Sequence, residues 1–203
     1  MKMALWQSGK LKGANMDFFT SDLHIGHAQS FIWQKRGFSS IEEHDTTILR
    51  NWNSTVSPYD NVYILGDLCM NSDEKEWNRI FKLLYGKKYF IIGNHDTDNK
   101  ILKYEDDYNI TNLGYGYVYK YNKKWQFFLS HYPTFTSSLS DTTHYPLVNL
   151  YGHTHQNTNF FNENNPYMYH VGVDSHNCFP ISIEQIIIDI EKKKTECEKR
   201  GSF

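Results

Sequence analysis

Five short apolar runs in this chain stop abruptly at polar clusters of Asp, His, Asn and Gly, and this recurrence limits the fold more than any other feature. Phe18-Phe19-Thr20 leads into Ser21-Asp22-Leu23-His24, and Val62-Tyr63-Ile64-Leu65 into Gly66-Asp67. Tyr89-Phe90-Ile91-Ile92 leads into Gly93-Asn94-His95-Asp96, and Trp125-Gln126-Phe127-Phe128-Leu129 into Ser130-His131. Leu147-Val148-Asn149-Leu150-Tyr151 ends in Gly152-His153-Thr154-His155. Short runs rich in β-branched and aromatic residues, bounded by turn formers, read as strands. Their polar ends then lie just past the carboxyl ends of the strands, where open α/β sheets gather ligand sites.

Helical spacing fills the gaps between the early strands. Ile41 to Val56 places Ile41, Ile48, Leu49, Trp52 and Val56 on one face, with Ser40 as N-cap and Glu43 at N3. Ser72 to Leu84 repeats the pattern with Trp77, Ile80, Phe81 and Leu84. Tyr115–Tyr121 and Trp125–Ser130 read as a hairpin, and Ser182 to about Arg200 as a helix, although Ile186-Ile187-Ile188 also suits an edge strand. A βαβαβ first half and a strand-rich second half argue for an α/β sheet or sandwich. Residues 1–15 show no period and stand apart as an N-terminal arm or start extension, leaving one domain over 16–203.

Composition excludes several classes. With 39% hydrophobic and 22% charged residues the chain is an ordinary globular one, and a net charge of -2 gives no overall basic field for nucleic acid. Cys69, Cys178 and Cys197 are odd in number and far apart, which is neither a disulfide framework nor a metal clip and suits a reducing compartment. The start lacks an apolar signal-peptide core, and no apolar run approaches the roughly 18 residues of a membrane span. A cytoplasmic protein without a membrane partner is the expectation.

The polar clusters have the chemistry of metal ligands. In an extended segment residues i and i+2 share a side, so Asp22 and His24 can reach one ion, and His153 and His155 repeat that spacing. Carboxylate oxygen with imidazole nitrogen suits Mn, Fe, Ni or Zn better than Ca or Mg. Asp67 has two oxygens and can bridge two ions, and Asn94 adds a neutral amide oxygen. The glycines beside these residues let the backbone bend and leave room for an ion.

Taken in order, Asp22-x-His24, Gly66-Asp67, Gly93-Asn94-His95-Asp96, His131 and Gly152-His153-x-His155 resemble the signature of the calcineurin-like metallophosphoesterases. The likeness is greatest to the small bacterial and phage phosphoesterases, which share the style of Asp22-Leu23-His24-Ile25-Gly26-His27 and Val171-Gly172-Val173-Asp174. Gly66-Asp67 is not followed by the second Asp of the longer motif typical of protein phosphatases, which tilts against a phosphoprotein substrate. The resemblance implies a four-layer αββα sandwich of two mixed sheets flanked by helices. It further implies two divalent transition-metal ions, one on Asp22, His24 and His155, the other on Asn94, His131 and His153, with Asp67 bridging.

Two such ions, about 3.5–4 Å apart, share a water and lower its pKa from about 15.7 toward neutrality, giving a metal-bridging hydroxide as nucleophile. His95 is then the acid that protonates the leaving oxygen, with Asp96 orienting it and favouring its charged form. The function expected is hydrolysis of a small phosphoester, with a phosphodiesterase on a nucleotide-like substrate favoured. Nuclease, phosphomonoesterase and non-catalytic scaffold are the alternatives, and the near-neutral charge argues against long nucleic acid. His27 and Arg36 are candidate substrate contacts, Arg36 as a bidentate phosphate clamp. His144 and His176 are candidates for the mouth, His44 reads as solvated, His170 as structural, and the tyrosines of Tyr104–Tyr121 as cover for a sheet face.

Overall fold

In a computed structural model, the described residues are 15–70, 74–136 and 147–201. The chain runs β1 (Asp17–Thr20), α1 (Ser30–Lys35), α2 (Ile41–Thr55), β2 (Asn61–Leu65), α3 (Glu74–Phe81), β3 (Lys87–Ile91) and α4 (Asp98–Tyr108). It continues through β4 (Thr111–Asn112), β5 (Gly116–Lys120), β6 (Gln126–Ser130), β7 (Val148–Tyr151), β8 (Met168–His170), β9 (Ile181–Ser182) and α5 (Ile183–Lys199). All but the last residue of the N-terminal arm lies outside the described residues, as do Ser72, the Trp77 side chain and His144.

Two mixed sheets form the centre, in the strand orders β4-β3-β2-β1-β9 and β5-β6-β7-β8. Within the first, β1, β2 and β3 run parallel, so Phe19, Tyr63 and Tyr89 fall in register and stack at 5.0 and 4.8 Å between ring centroids. Period-2 alternation divides each strand between two cores. Phe19, Leu65 and Ile91 meet Phe127, Leu129, Val148 and Leu150 between the sheets. Phe18, Val62, Ile64 and Phe90 turn the other way, onto Ile48 and Trp52 of α2, Ile80 of α3, and Ile101 and Tyr104 of α4. The architecture is therefore the expected α/β sandwich of two mixed sheets with flanking helices.

The helices follow local chemistry. Ser40 Oγ accepts from Glu43 N at 3.2 Å while Glu43 Oε2 accepts from Ser39 N at 2.8 Å, a reciprocal cap that sets the start of α2. α5 begins in the same way, with Ser182 Oγ accepting from Gln185 N at 3.2 Å. It buries Ile183, Ile186 and Ile190 in the inter-sheet core and is tied to β8 by Tyr169 OH donating to Asp189 Oδ2 at 2.6 Å. The isoleucine triplet is thus helical, with Ile188 53% exposed. Two helices escape the sequence reading. α4 buries Ile101, Tyr104 and Tyr108 at helical spacing, but the polar residues between them and the exposed Leu102 dilute the pattern. α1 is a single short segment of six residues with one buried side chain, Ile32. Among the described residues no helix is long and apolar enough to cross a membrane.

Candidate metal centre

Loops after β1, β2 and β3 of the first sheet meet loops after β6 and β7 of the second. Asp22 N donates to Gly66 O at 3.1 Å, His24 N to Asp67 O at 3.0 Å and Gly152 N to His131 O at 2.9 Å. His153 N reaches across to Asp22 Oδ2 at 2.9 Å. The seven residues expected as ligands are drawn together by these contacts, but not by an extended backbone. Asp22, His24, Asp67, His153 and His155 have φ of 56, 50, 54, 68 and 47°. Each left-handed non-glycine residue costs on the order of 1–3 kcal/mol, so the surrounding packing has to enforce it. Gly152 is one enforcing element, because a Cβ there would sit 2.6 Å from Asp22 Oδ2 and overlap the Ser21 hydroxyl.

Two groups of donors result. The ligand atoms of Asp22, His24 and His155 all lie within 4.8 Å of one another, as do those of Asp22, Asp67 and His131. Asp67 Oδ2 is central, 3.7 Å from His24 Nε2 and 3.6 Å from His131 Nε2. Asn94 Oδ1 lies 2.8 Å from His131 Nε2 and 2.9 Å from His153 Nδ1.

The histidine tautomers test whether a cation fits. His131 Nδ1 donates to Leu65 O at 2.8 Å, and its Nε2 faces the Asn94 carbonyl oxygen at 2.8 Å. His155 Nδ1 donates to Asp174 Oδ2 at 2.9 Å, and its Nε2 faces His24 Nε2 at 3.1 Å. Holding Nδ1 in an outer hydrogen bond leaves Nε2 as the ligating atom of both rings, the usual arrangement of histidine ligands. Burial pushes the Asp22 carboxyl up and holds the His24 imidazole well below the ordinary histidine range, so that ring is present in its neutral, ligating form. At His155 the effect of burial is outweighed by the Asp174 hydrogen bond and the Asp22 charge, which raise it. Asp22 and Asp67 are 0% and 2% exposed, a pair of buried carboxylates that divalent cations would compensate.

His95 stands at the rim. Its side chain is 45% exposed, its Nε2 is 4.0 Å from Asp67 Oδ2, and its backbone N donates to Asp67 Oδ1 at 2.9 Å. His27 accepts from Gln29 N at its Nδ1, leaving Nε2–H as a donor, and its ring packs edge-on to His24 and to the exposed Phe31. Tyr132, half exposed, packs against His153 at 4.7 Å on the opposite flank.

Four expectations change. Asp96 does not orient His95: its Oδ2 accepts from Asp67 N at 2.7 Å and Gly93 N at 2.9 Å, and its Oδ1 lies 3.4 Å from Tyr104 OH. Burial raises that carboxyl to about 6. Arg36 is not free to clamp a phosphate, because its side chain is 3% exposed and bonded to Asp174, His44 and the backbone of the first motif. His44 is fully buried rather than solvated. His176 donates from Nε2 to His170 O and stacks on Tyr169, and it lines a separate cavity with Phe18, Thr55 and Phe179 that contains none of the candidate ligands. Sequence reasoning missed the roles of Asp174 and Asp45. Asp174 stands in the quoted Val171-Gly172-Val173-Asp174 segment, yet no local signal connects it to His155.

Comparison with known proteins agrees with this geometry. A family model described as calcineurin-like phosphoesterase matches residues 18–177. The uncharacterized protein MJ1445 of Methanocaldococcus jannaschii is 32% identical over 182 residues, covering 87% of this chain and 92% of that protein. The gene 66 protein of Mycobacterium phage D29 is 29% identical over 199 residues, covering 86% of this chain and 97% of the phage protein. The crystal structure of AQ665 from Aquifex aeolicus, a protein of unknown function, shares the fold with a TM-score of 0.63 at 24% identity. That match covers 85% of this chain and 98% of the Aquifex chain.

Proposed function

Because the chain belongs to the calcineurin-like phosphoesterases, a family of metal-dependent phosphoester hydrolases, we propose that it is a phosphodiesterase acting on small, nucleotide-like substrates. The observation that carries the reading is the convergence of the imidazole nitrogens of His24, His131, His153 and His155 and the Asn94 amide oxygen around two buried carboxylates. Asp22, His24 and His155 would hold one divalent ion and Asn94, His131 and His153 the other, with Asp67 between them. When bound, such ions supply Lewis acidity toward phosphoryl oxygens and a water acidic enough to attack near neutral pH.

The protein's own groups do the rest. His95, exposed at the rim beside Asp67, donates a proton to the departing oxygen. His27, buried edge-on against His24 with its Nδ1 accepting from Gln29 N, keeps its Nε2–H as a donor for a phosphoryl oxygen. Preference for a diester is supported by the surrounding cations. Arg36 is fully bonded, and Lys100 Nζ donates to the carbonyl oxygens of Cys69 and His95, so the second negative charge of a monoester meets no uncommitted cation among these residues. Phe31 and Tyr132, on opposite flanks, offer ring faces to a nucleobase.

The test is hydrolysis of bis(p-nitrophenyl) phosphate against p-nitrophenyl phosphate by the full chain with Mn, Ni or Zn added. A higher kcat/KM for the diester is expected. The reverse preference would make it a phosphomonoesterase, and no turnover with any metal would remove the catalytic reading.

A further inference from the structure

Arg36 lies outside the proposed ligand set, yet its guanidinium is the most densely bonded group in the site. Nε and Nη2 donate to Asp174 Oδ1 and Oδ2, each at 2.9 Å. Nη2 also donates to Asp22 O at 2.8 Å, and Nη1 donates to Leu23 O at 3.3 Å and to His44 Nε2 at 2.8 Å. All five N–H donors of the group are used, which an ammonium with three donors on a single atom cannot reproduce. His44, obliged to accept at Nε2, donates from Nδ1 to Asp45 Oδ1 at 2.7 Å, and Asp45 Oδ2 accepts from Gly26 N at 2.9 Å. The network thus grips the first motif loop at Asp22 O, Leu23 O and Gly26 N.

Its other end reaches the fourth motif. Asp174 Oδ2 accepts from His155 Nδ1 at 2.9 Å, which points His155 Nε2 at Asp22 and His24. Asp22, His24 and His155, each with a left-handed backbone, are the residues that would share one ion. On the reading of the site given above, we propose that Arg36, acting through Asp174, is the positioning residue of this ion: one buried guanidinium holds the strained Asp22-Leu23-His24 loop and the His155 ring in ligating geometry together. Arg36 touches neither substrate nor ion.

Titration of the metal-free full-length chain with Mn²⁺, followed by calorimetry, tests this. Wild type is expected to bind two ions. Arg36→Ala, Arg36→Lys and Asp174→Asn each weaken one of them by about 10–100-fold and leave the other within a factor of about two, the loss typical of groups that orient histidine ligands. In an Asn94→Ala background, which keeps the first group of ligands, the remaining ion shows the same loss. Guanidinium ion at low millimolar concentration restores the affinity of Arg36→Ala but not that of Asp174→Asn. If Arg36→Ala does not fold, Arg36→Lys and Asp174→Asn carry the test. Unchanged affinities in the variants, or equal loss of both ions, would overturn the proposal while leaving the metal reading in place. A wild-type chain that binds no Mn²⁺ would overturn both.

Discussion

His95 and Asp96 are neighbours in one motif, but their side chains part company. The His95 imidazole is half exposed at the rim, whereas the Asp96 carboxylate is turned inward onto the backbone N–H groups of Asp67 and Gly93. The two positions therefore fail differently when truncated. His95→Ala is expected to keep its bound metal and its stability while turnover falls about 10²–10⁴-fold, least for substrates with good leaving groups. Asp96→Ala leaves two buried donors unsatisfied at roughly 1–3 kcal/mol each, and loosens the loop that carries Asp67. Its signature is a lowered Tm together with lowered metal content. Metal analysis and melting curves on the pair decide the assignment, and it fails if Asp96→Ala keeps its metal and only loses turnover. The grouping of the seven candidate ligands could be proposed from the sequence because each lies shortly after a strand. The bonding of Arg36 was not, since its partner Asp174 is 138 residues away in sequence and only the fold brings them together.

At the scale of elements, Ile186-Ile187-Ile188 is the segment where local pattern supports two answers. An edge strand would set Ile186 and Ile188 on one face, while a helix separates them by about 200°. α5 chooses the helix because Ser182 caps its start and because Ile183, Ile186 and Ile190 then share one buried face. Ile186→Ala should therefore cost roughly 2–5 kcal/mol in urea unfolding. Ile188→Ala, at a half-exposed position, should fall within about 0.5 kcal/mol of wild type. Similar losses at both positions would argue for the strand. Elsewhere the elements with strong periodicity were readable, α2 to within a residue of its observed end. α4 was not, because its burial is decided by Phe81 and Phe90 from other elements rather than by its own polar sequence.

Over the whole molecule, the site is where the two sheets are joined at their loop ends. Asp22, Asp67 and Asn94 come from loops of the first sheet, His131, His153 and His155 from loops of the second, and Asp67 Oδ2 stands between His24 and His131. Without cations this junction gathers buried carboxylates that repel one another and left-handed backbone, both of which oppose folding locally. Ions bound there would relieve the repulsion and cross-link the sheets, so binding couples to global stability. A ligand present at about 100 times its Kd adds about 2.7 kcal/mol. For a domain of this size that is a rise in Tm of about 5–10 °C. Melting curves of the full chain in EDTA and in excess Mn²⁺ should differ by that amount. Asp67→Asn, which removes the charge between the two groups, should show a much smaller rise because neither group keeps its shared carboxylate. An equal rise in wild type and Asp67→Asn would mean that the ions bind elsewhere, and no rise in wild type would mean that the junction is held by the protein alone.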